Sequence, residues 1–113
     1  MILTRQTIPE AKMQCKAKLN NGVLEVQMAG RFTFNDNNIF RPVLDNIAKE
    51  GIRCVVFDIG QTEYMDSAAL GMLLLARDEA ERNSCSIVLK SPQGYIKKLF
   101  TVSKFYEMFN IEE

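Results

Sequence analysis

Asp66-Ser67-Ala68-Ala69-Leu70-Gly71 sets an acid and a hydroxyl directly ahead of small and apolar residues. An Asp or Ser in such a place caps a helix, because its side-chain oxygen accepts a backbone N–H of the first turn. A helix start also carries free N–H groups and a partial positive charge, and so favours anions. A phosphoryl group on Ser67 would sit there with little strain. It would add about −1.5 to −2 charges and three acceptor oxygens, beside an Asp66 that repels it. A partner that accepts a neutral hydroxyl would then have to desolvate a dianion, a difference on the order of several kcal/mol at an interface. The chemistry on offer is a charge switch. The plain structural use of the same residues is an N-cap, worth about 1 kcal/mol. Favouring the switch, the segment follows the carboxyl end of a predicted strand, where ligands and partners meet open α/β sheets. The small residues Ala68, Ala69 and Gly71 would also let another surface come close.

Other chemistries have little to work with. The chain contains no histidine, which removes a Ser-His-Asp triad, a Cys-His dyad, a His-ligated metal and a phosphohistidine carrier. Cys15, Cys54 and Cys85 are too far apart for a zinc site and too few for a disulfide framework. They read as small buried hydrophobes in a reducing compartment. No carboxylate pair suggests glycosidase chemistry, and no Gly-rich phosphate loop is present. A binding module without cofactor or metal is expected, not an enzyme. Lys plus Arg and Asp plus Glu both number 14. This balance argues against a nucleic-acid partner, which would draw on a basic surplus. The densest basic residues, Lys97, Lys98 and Lys104, read as a solvated face. No run reaches the roughly 18 apolar residues of a membrane helix, and Met1 to Glu10 lacks the apolar core of a signal peptide. A cytoplasmic location without membrane insertion is expected.

Three further groups stand out. Thr33 is a second hydroxyl in a loop. Phe32 and Phe34 flank it, and alternation assigns at least one of them to the core. Met72 and Leu75 form either a docking patch or packing beneath a neighbouring helix.

The elements that would position these residues follow from periodicity. At 113 residues and 47% apolar content, the chain suits one globular domain. Residues 1–12 read as a loose lead-in or weak edge strand, and 13–113 as the domain. Met13, Cys15, Ala17 and Leu19 alternate, then Asn20-Asn21-Gly22 makes a turn. Leu24, Val26 and Met28 alternate in a second strand ended by Gly30; together these predict a hairpin. Asn35 or Asp36 is a candidate cap. Ile39, Phe40, Val43, Leu44, Ile47 and Ala48 give a helical stripe. Pro42 lies in this stripe, so the helix either begins near Phe40 after a looser turn or is kinked. The apolar run Cys54-Val55-Val56-Phe57 predicts a strand covered on both faces. Gly60 to Tyr64 reads as a loop, and a helix runs from Asp66 or Ser67 to about Asn83 with Ala69, Leu73, Ala76 and Ala80 inward. Ser86 to Lys90 is a strand, Ser91-Pro92 a helix start, and Met108 to Ile111 a last edge strand. A hairpin followed by alternating helices and strands is an α/β order with parallel pairing.

On these residues the chain resembles the STAS domains, a family that includes anti-sigma-factor antagonists and the cytoplasmic tails of sulfate transporters. The resemblance spans about residues 13–111. Its most specific piece is the apolar strand leading into Met65-Asp66-Ser67-Ala68-Ala69-Leu70-Gly71. It implies a STAS-like four-turn β/α superhelix: a mixed sheet with an N-terminal hairpin and helices mainly on one face. It also implies partner switching in a bacterial signalling pathway controlling transcription. There Ser67 would be phosphorylated by a serine kinase that is also the anti-sigma factor, with a phosphatase as a further partner. Asp66, Ser67, Ala68, Ala69, Met72 and Thr33 would meet the partner. The alternative is a STAS subunit of a membrane transport complex that binds its cytoplasmic ATPase. Three positions depart from the family pattern. Thr33 stands where many antagonists have an acid, with Asp36 three residues on. Ala68-Ala69 replaces Ser-Gly, and Lys104 replaces a helix-ending glycine.

Overall fold

The structure is a computed structural model, and it describes residues 13–113. The lead-in expected over residues 1–12 lies outside the described residues. Strands β1 (Gln14–Asn20) and β2 (Val23–Phe32) form the expected antiparallel hairpin. Asn21 and Gly22 both have positive φ, 53° and 80°. That geometry matches a two-residue turn to the twist of its strands. Cys15, Ala17 and Leu19 pair with Met28, Val26 and Leu24, so both alternating sets share one face.

β3 (Cys54–Met65), β4 (Ser86–Lys90) and β5 (Asn110–Glu112) extend the sheet in parallel to β2. The spatial order follows the chain, β1 to β5. The connections carry α1 (Asn37–Ile47), α2 (Ser67–Arg82), α3 (Gly94–Val102) and the single turn α4 (Phe105–Met108). A hairpin feeding parallel strands gives the mixed α/β architecture expected from the element order.

The helices bury their stripes against one face of the sheet. From α1 come Phe40, Val43 and Ile47; from α2, Ala69, Leu73, Ala76 and Ala80; from α3, Ile96 and Phe100. They meet Val26, Met28, Val55, Phe57, Ile59 and Leu89 in one core. The inward alanines of α2 keep that helix close to the strands. Phe40 packs between Phe32 and Phe57, with ring centroids at 5.2 and 5.7 Å. Each such pair is worth about 0.5–1.5 kcal/mol beyond the area it buries.

Several expectations are corrected. The Cys54–Phe57 run is not covered on both faces: Val55 and Phe57 are fully buried, whereas Cys54 and Val56 are half-buried on the side away from the core. Gly30 does not end β2. It adopts φ 92° beside a register shift, and the strand resumes to Phe32. Residues 60–64 are not a loop but the continuation of β3. Two register shifts against β2 insert one extra residue each into β3, between Asp58 and Gln61 and between Thr62 and Tyr64. Bulges of this kind break the alternation that announces a strand. The first turns Thr62 into the interior, where its hydroxyl donates to the Met28 carbonyl at 3.3 Å. Met28 is the residue that the shift leaves without a partner in the register.

The helix after Ser91-Pro92 starts later than expected, at Gly94 with Gln93 preceding it. Ser91 is still held in the sheet, because its N–H donates to the Glu112 carbonyl at 2.6 Å. Pro42 does lie inside α1, which begins at Asn37 after a short 3-10 turn over Phe34–Asp36. Both Pro42 and Asn38 are exposed, so water can reach the carbonyl that the missing N–H leaves free. The final strand is displaced toward the end of the chain by α4. Lys104 precedes that turn with φ 63°, a left-handed conformation of the kind glycine supplies without steric cost.

Candidate functional site

The long β2 and β3 deliver two loops to the same edge of the domain. At the end of β3, Asp66 is the N-cap of α2 in extended conformation, and its Oδ1 accepts the Ala69 N–H at 2.8 Å. Its second oxygen does something the sequence does not announce. Oδ2 accepts the Phe34 N–H, 32 residues away, at 3.1 Å. A backbone bond from Asp66 N–H to the Phe32 carbonyl at 3.3 Å runs alongside. One carboxylate therefore joins the head of α2 to the turn after β2.

That turn is itself closed by a capping box. The Thr33 hydroxyl accepts the Asn35 N–H at 3.2 Å, and Asp36 Oδ2 accepts the Thr33 N–H at 2.8 Å. Asp36, expected as a possible cap of α1, is 95% buried and makes no side-chain cap to that helix; it turns back to Thr33 instead. The Thr33 hydroxyl is thereby committed to holding the turn. Of the phenylalanine pair, Phe32 is fully buried and Phe34 is 67% exposed. A large apolar side chain thus stands in solvent on a turn tied down at four backbone positions.

Ser67, the first residue of α2, is exposed, and Ala68 beside it is half-buried. Ser67, Gly71 and Leu75 recur every four residues on the outer side of α2. A Cβ at Gly71 would meet no atom within 4 Å, and Leu75 is 54% exposed. The small-residue approach expected of Gly71 is therefore open. Two residues expected at a partner surface lie elsewhere: Ala69 is fully buried and Met72 nearly so. Both belong to the inward stripe: Ala69 lies four residues before Leu73 and Met72 four before Ala76. Asp66 is half-buried and contributes through its hydrogen bonds.

A second cluster at this edge was not legible in the sequence. The Arg31 guanidinium lies 4.2 Å from the centre of the Tyr64 ring, and Tyr64 stacks on Tyr95 of α3 at 5.7 Å. The bulges in β3 bring Tyr64 opposite Arg31, so only the register reveals the pair. The basic residues sit apart: Lys97 and Lys98 on α3 and Lys104 after it are exposed, and Lys97 pairs with Glu113 at 3.0 Å. Of the cysteines, Cys85 is buried while Cys15 and Cys54 are half-buried, and none forms a disulfide. Burial pushes the Cys15 and Cys85 thiols above their ordinary pKa. Among the described residues no three Cys, Asp or Glu side chains converge as a metal site, and no helix is long and apolar enough to cross a membrane.

The model of the STAS domain family matches residues 14–113. The chain belongs to the STAS family. A STAS-domain containing protein of Pseudomonas aeruginosa is 38% identical over 88 residues, covering 78% of this chain and 86% of the relative. Among solved structures, the Bacillus anti-sigma factor antagonist SpoIIAA in its unphosphorylated form aligns with a TM-score of 0.69 at 14% identity, over 90% of this chain and 87% of that one. A sulfate transporter family protein from Wolinella succinogenes aligns with a TM-score of 0.72 at 15% identity, over 84% and 80% of the two chains. At such identities the likeness is one of fold, and it agrees with the five-stranded mixed sheet of this STAS domain.

Proposed function

We propose that this STAS domain is a regulatory protein-interaction module of the anti-sigma-factor antagonist type, switched by phosphorylation of Ser67 by a partner serine kinase. One observation carries the reading: Ser67 is exposed at the head of α2, at the edge where the strands deliver their loops. A kinase can reach a residue so placed, and a docking surface beside it would feel the added charge. The unmodified surface offers a neutral hydroxyl, a half-buried alanine and an exposed Phe34. The modified surface would oblige a partner to desolvate a dianion. Likeness to SpoIIAA supports this class of function. The partners are protein partners: an anti-sigma factor that is also a kinase, and a phosphatase that resets the switch.

The test is intact-mass analysis after incubation with candidate serine kinases and ATP. Wild type gains one phosphate and Ser67→Ala gains none; a mutant that takes up the same phosphate removes the assignment. Ser67→Asp weakens binding to the cognate partner at unchanged circular dichroism. Equal affinity of the two forms removes the switching mechanism.

Likeness to the Wolinella sulfate transporter family protein favours a second reading, a STAS subunit of a membrane transport complex that binds its cytoplasmic ATPase. Affinity purification from membranes separates the two readings. Recovery with a transport ATPase favours this one, and recovery with a soluble kinase favours the first.

A further inference from the structure

Asp66 holds two parts of the chain through two different atoms. Oδ1 carries the Ala69 N–H of α2 at 2.8 Å and Oδ2 carries the Phe34 N–H at 3.1 Å. Ser67 is its covalent neighbour. We infer that Asp66 is a positioning residue that couples the charge on Ser67 to the Phe34 turn, so that a negative group at position 67 releases the Phe34 arm. This rests on the reading of Ser67 as the switch and adds what the switch moves.

The coupling follows from the charge that a phosphoryl group sets beside Asp66. On Ser67 that group repels the carboxylate of the adjacent residue, where the separation is well inside the Debye length of about 8 Å at physiological salt. Turning the carboxylate to lessen that repulsion cannot preserve both bonds, because each oxygen is already committed. The Phe34 bond is the longer of the two and is solvent-exposed, whereas the Ala69 bond lies in a part-buried setting. The Phe34 arm therefore yields first. What it releases is the backbone N–H beneath a side chain that is 67% exposed. The rest of the turn is held by Thr33 and Asp36, so the response is local and leaves the core unchanged.

The measurement is amide hydrogen exchange of the 15N-labelled full chain by NMR, read at Phe34 and Ala69. Ser67→Asp speeds exchange at Phe34 about two- to fivefold, the order expected when one exposed hydrogen bond to a charged acceptor is lost. Ser67→Asn, of nearly equal size and neutral, leaves it unchanged. In an Asp66→Asn background one of the two acceptor atoms is gone, so Phe34 exchanges fast from the outset and Ser67→Asp adds nothing. An unmoved Phe34 amide in Ser67→Asp, or equal acceleration by Asp and Asn at position 67, overturns the coupling. The experiment uses neither kinase nor partner, so its failure is distinct from a failure of Ser67 to accept phosphate.

Discussion

Asp66→Ala removes two bonds at once, and their separate worth can be worked out. The cap on Ala69 at 2.8 Å is worth about 1 kcal/mol in typical proteins. The bond from Phe34 at 3.1 Å is exposed, and solvent screening takes it below the usual range for hydrogen bonds to charged groups, to about 0.5–1 kcal/mol. The sum is a loss of about 1.5–2 kcal/mol, a sizeable part of the roughly 5–15 kcal/mol that holds a domain together. Asp66→Asn behaves differently. Asn caps helices about as well as Asp, yet it has a single acceptor oxygen, so it keeps Ala69 and loses Phe34. Its cost is about 0.5–1 kcal/mol. Urea unfolding followed by circular dichroism measures both, with the m-value unchanged because the core is untouched. In thermal scans the Ala variant falls by about 6–8 °C and the Asn variant by about 2–4 °C. An Ala variant within 0.5 kcal/mol of wild type would refute the two-bond account. So would an Asn variant as unstable as the Ala variant.

The other expectations concern backbone strain and the thiols. Lys104→Gly relieves a left-handed residue at φ 63°; after the entropy cost of glycine, stability rises by about 0.5–1 kcal/mol in urea unfolding. No gain, or a loss, would show that the lysine side chain contributes more than its backbone costs. The Cys15 and Cys85 thiols are held above their ordinary pKa by burial. The native state therefore binds those protons more tightly than the unfolded chain. Their stabilising effect is intact below the unfolded thiol pKa, about 8.5, and is lost as pH rises through the native values. Iodoacetamide at pH 8 accordingly labels Cys85 more slowly than a free thiol does, and Cys85→Ala flattens the alkaline fall in stability.

Much of this was visible in the chain itself. Hairpin alternation from Met13 to Met28, the α2 stripe and the Asp66-Ser67 helix start follow from local spacing, and the structure has them. What escaped depends on partners distant in sequence. The continuation of β3 through residues 60–64 is invisible because its two bulges destroy the period of two. The Asp66 bond to Phe34 spans 32 residues, and the Arg31–Tyr64–Tyr95 stack needs the register of β2 on β3. Ser91-Pro92 carries good helix-start chemistry, yet pairing with β5 retains Ser91. Of the two uses open to Met72, docking patch or packing, its burial matches the packing one. The apolar stripe of α2 is wider than four alanine and leucine positions indicate, and it takes in Met72 as well.

The paired bulges in β3 have a geometric consequence. Each added residue reverses which side of the ribbon the following side chains occupy. Two of them cancel, so Met65 returns to the inner side shared by Ile59. Each bulge absorbs its odd residue and leaves Thr62 and Met65 opposite Gly30 and Phe32, so the aim of Ser67 is tied to the pairing with β2 and not to the residue count of β3.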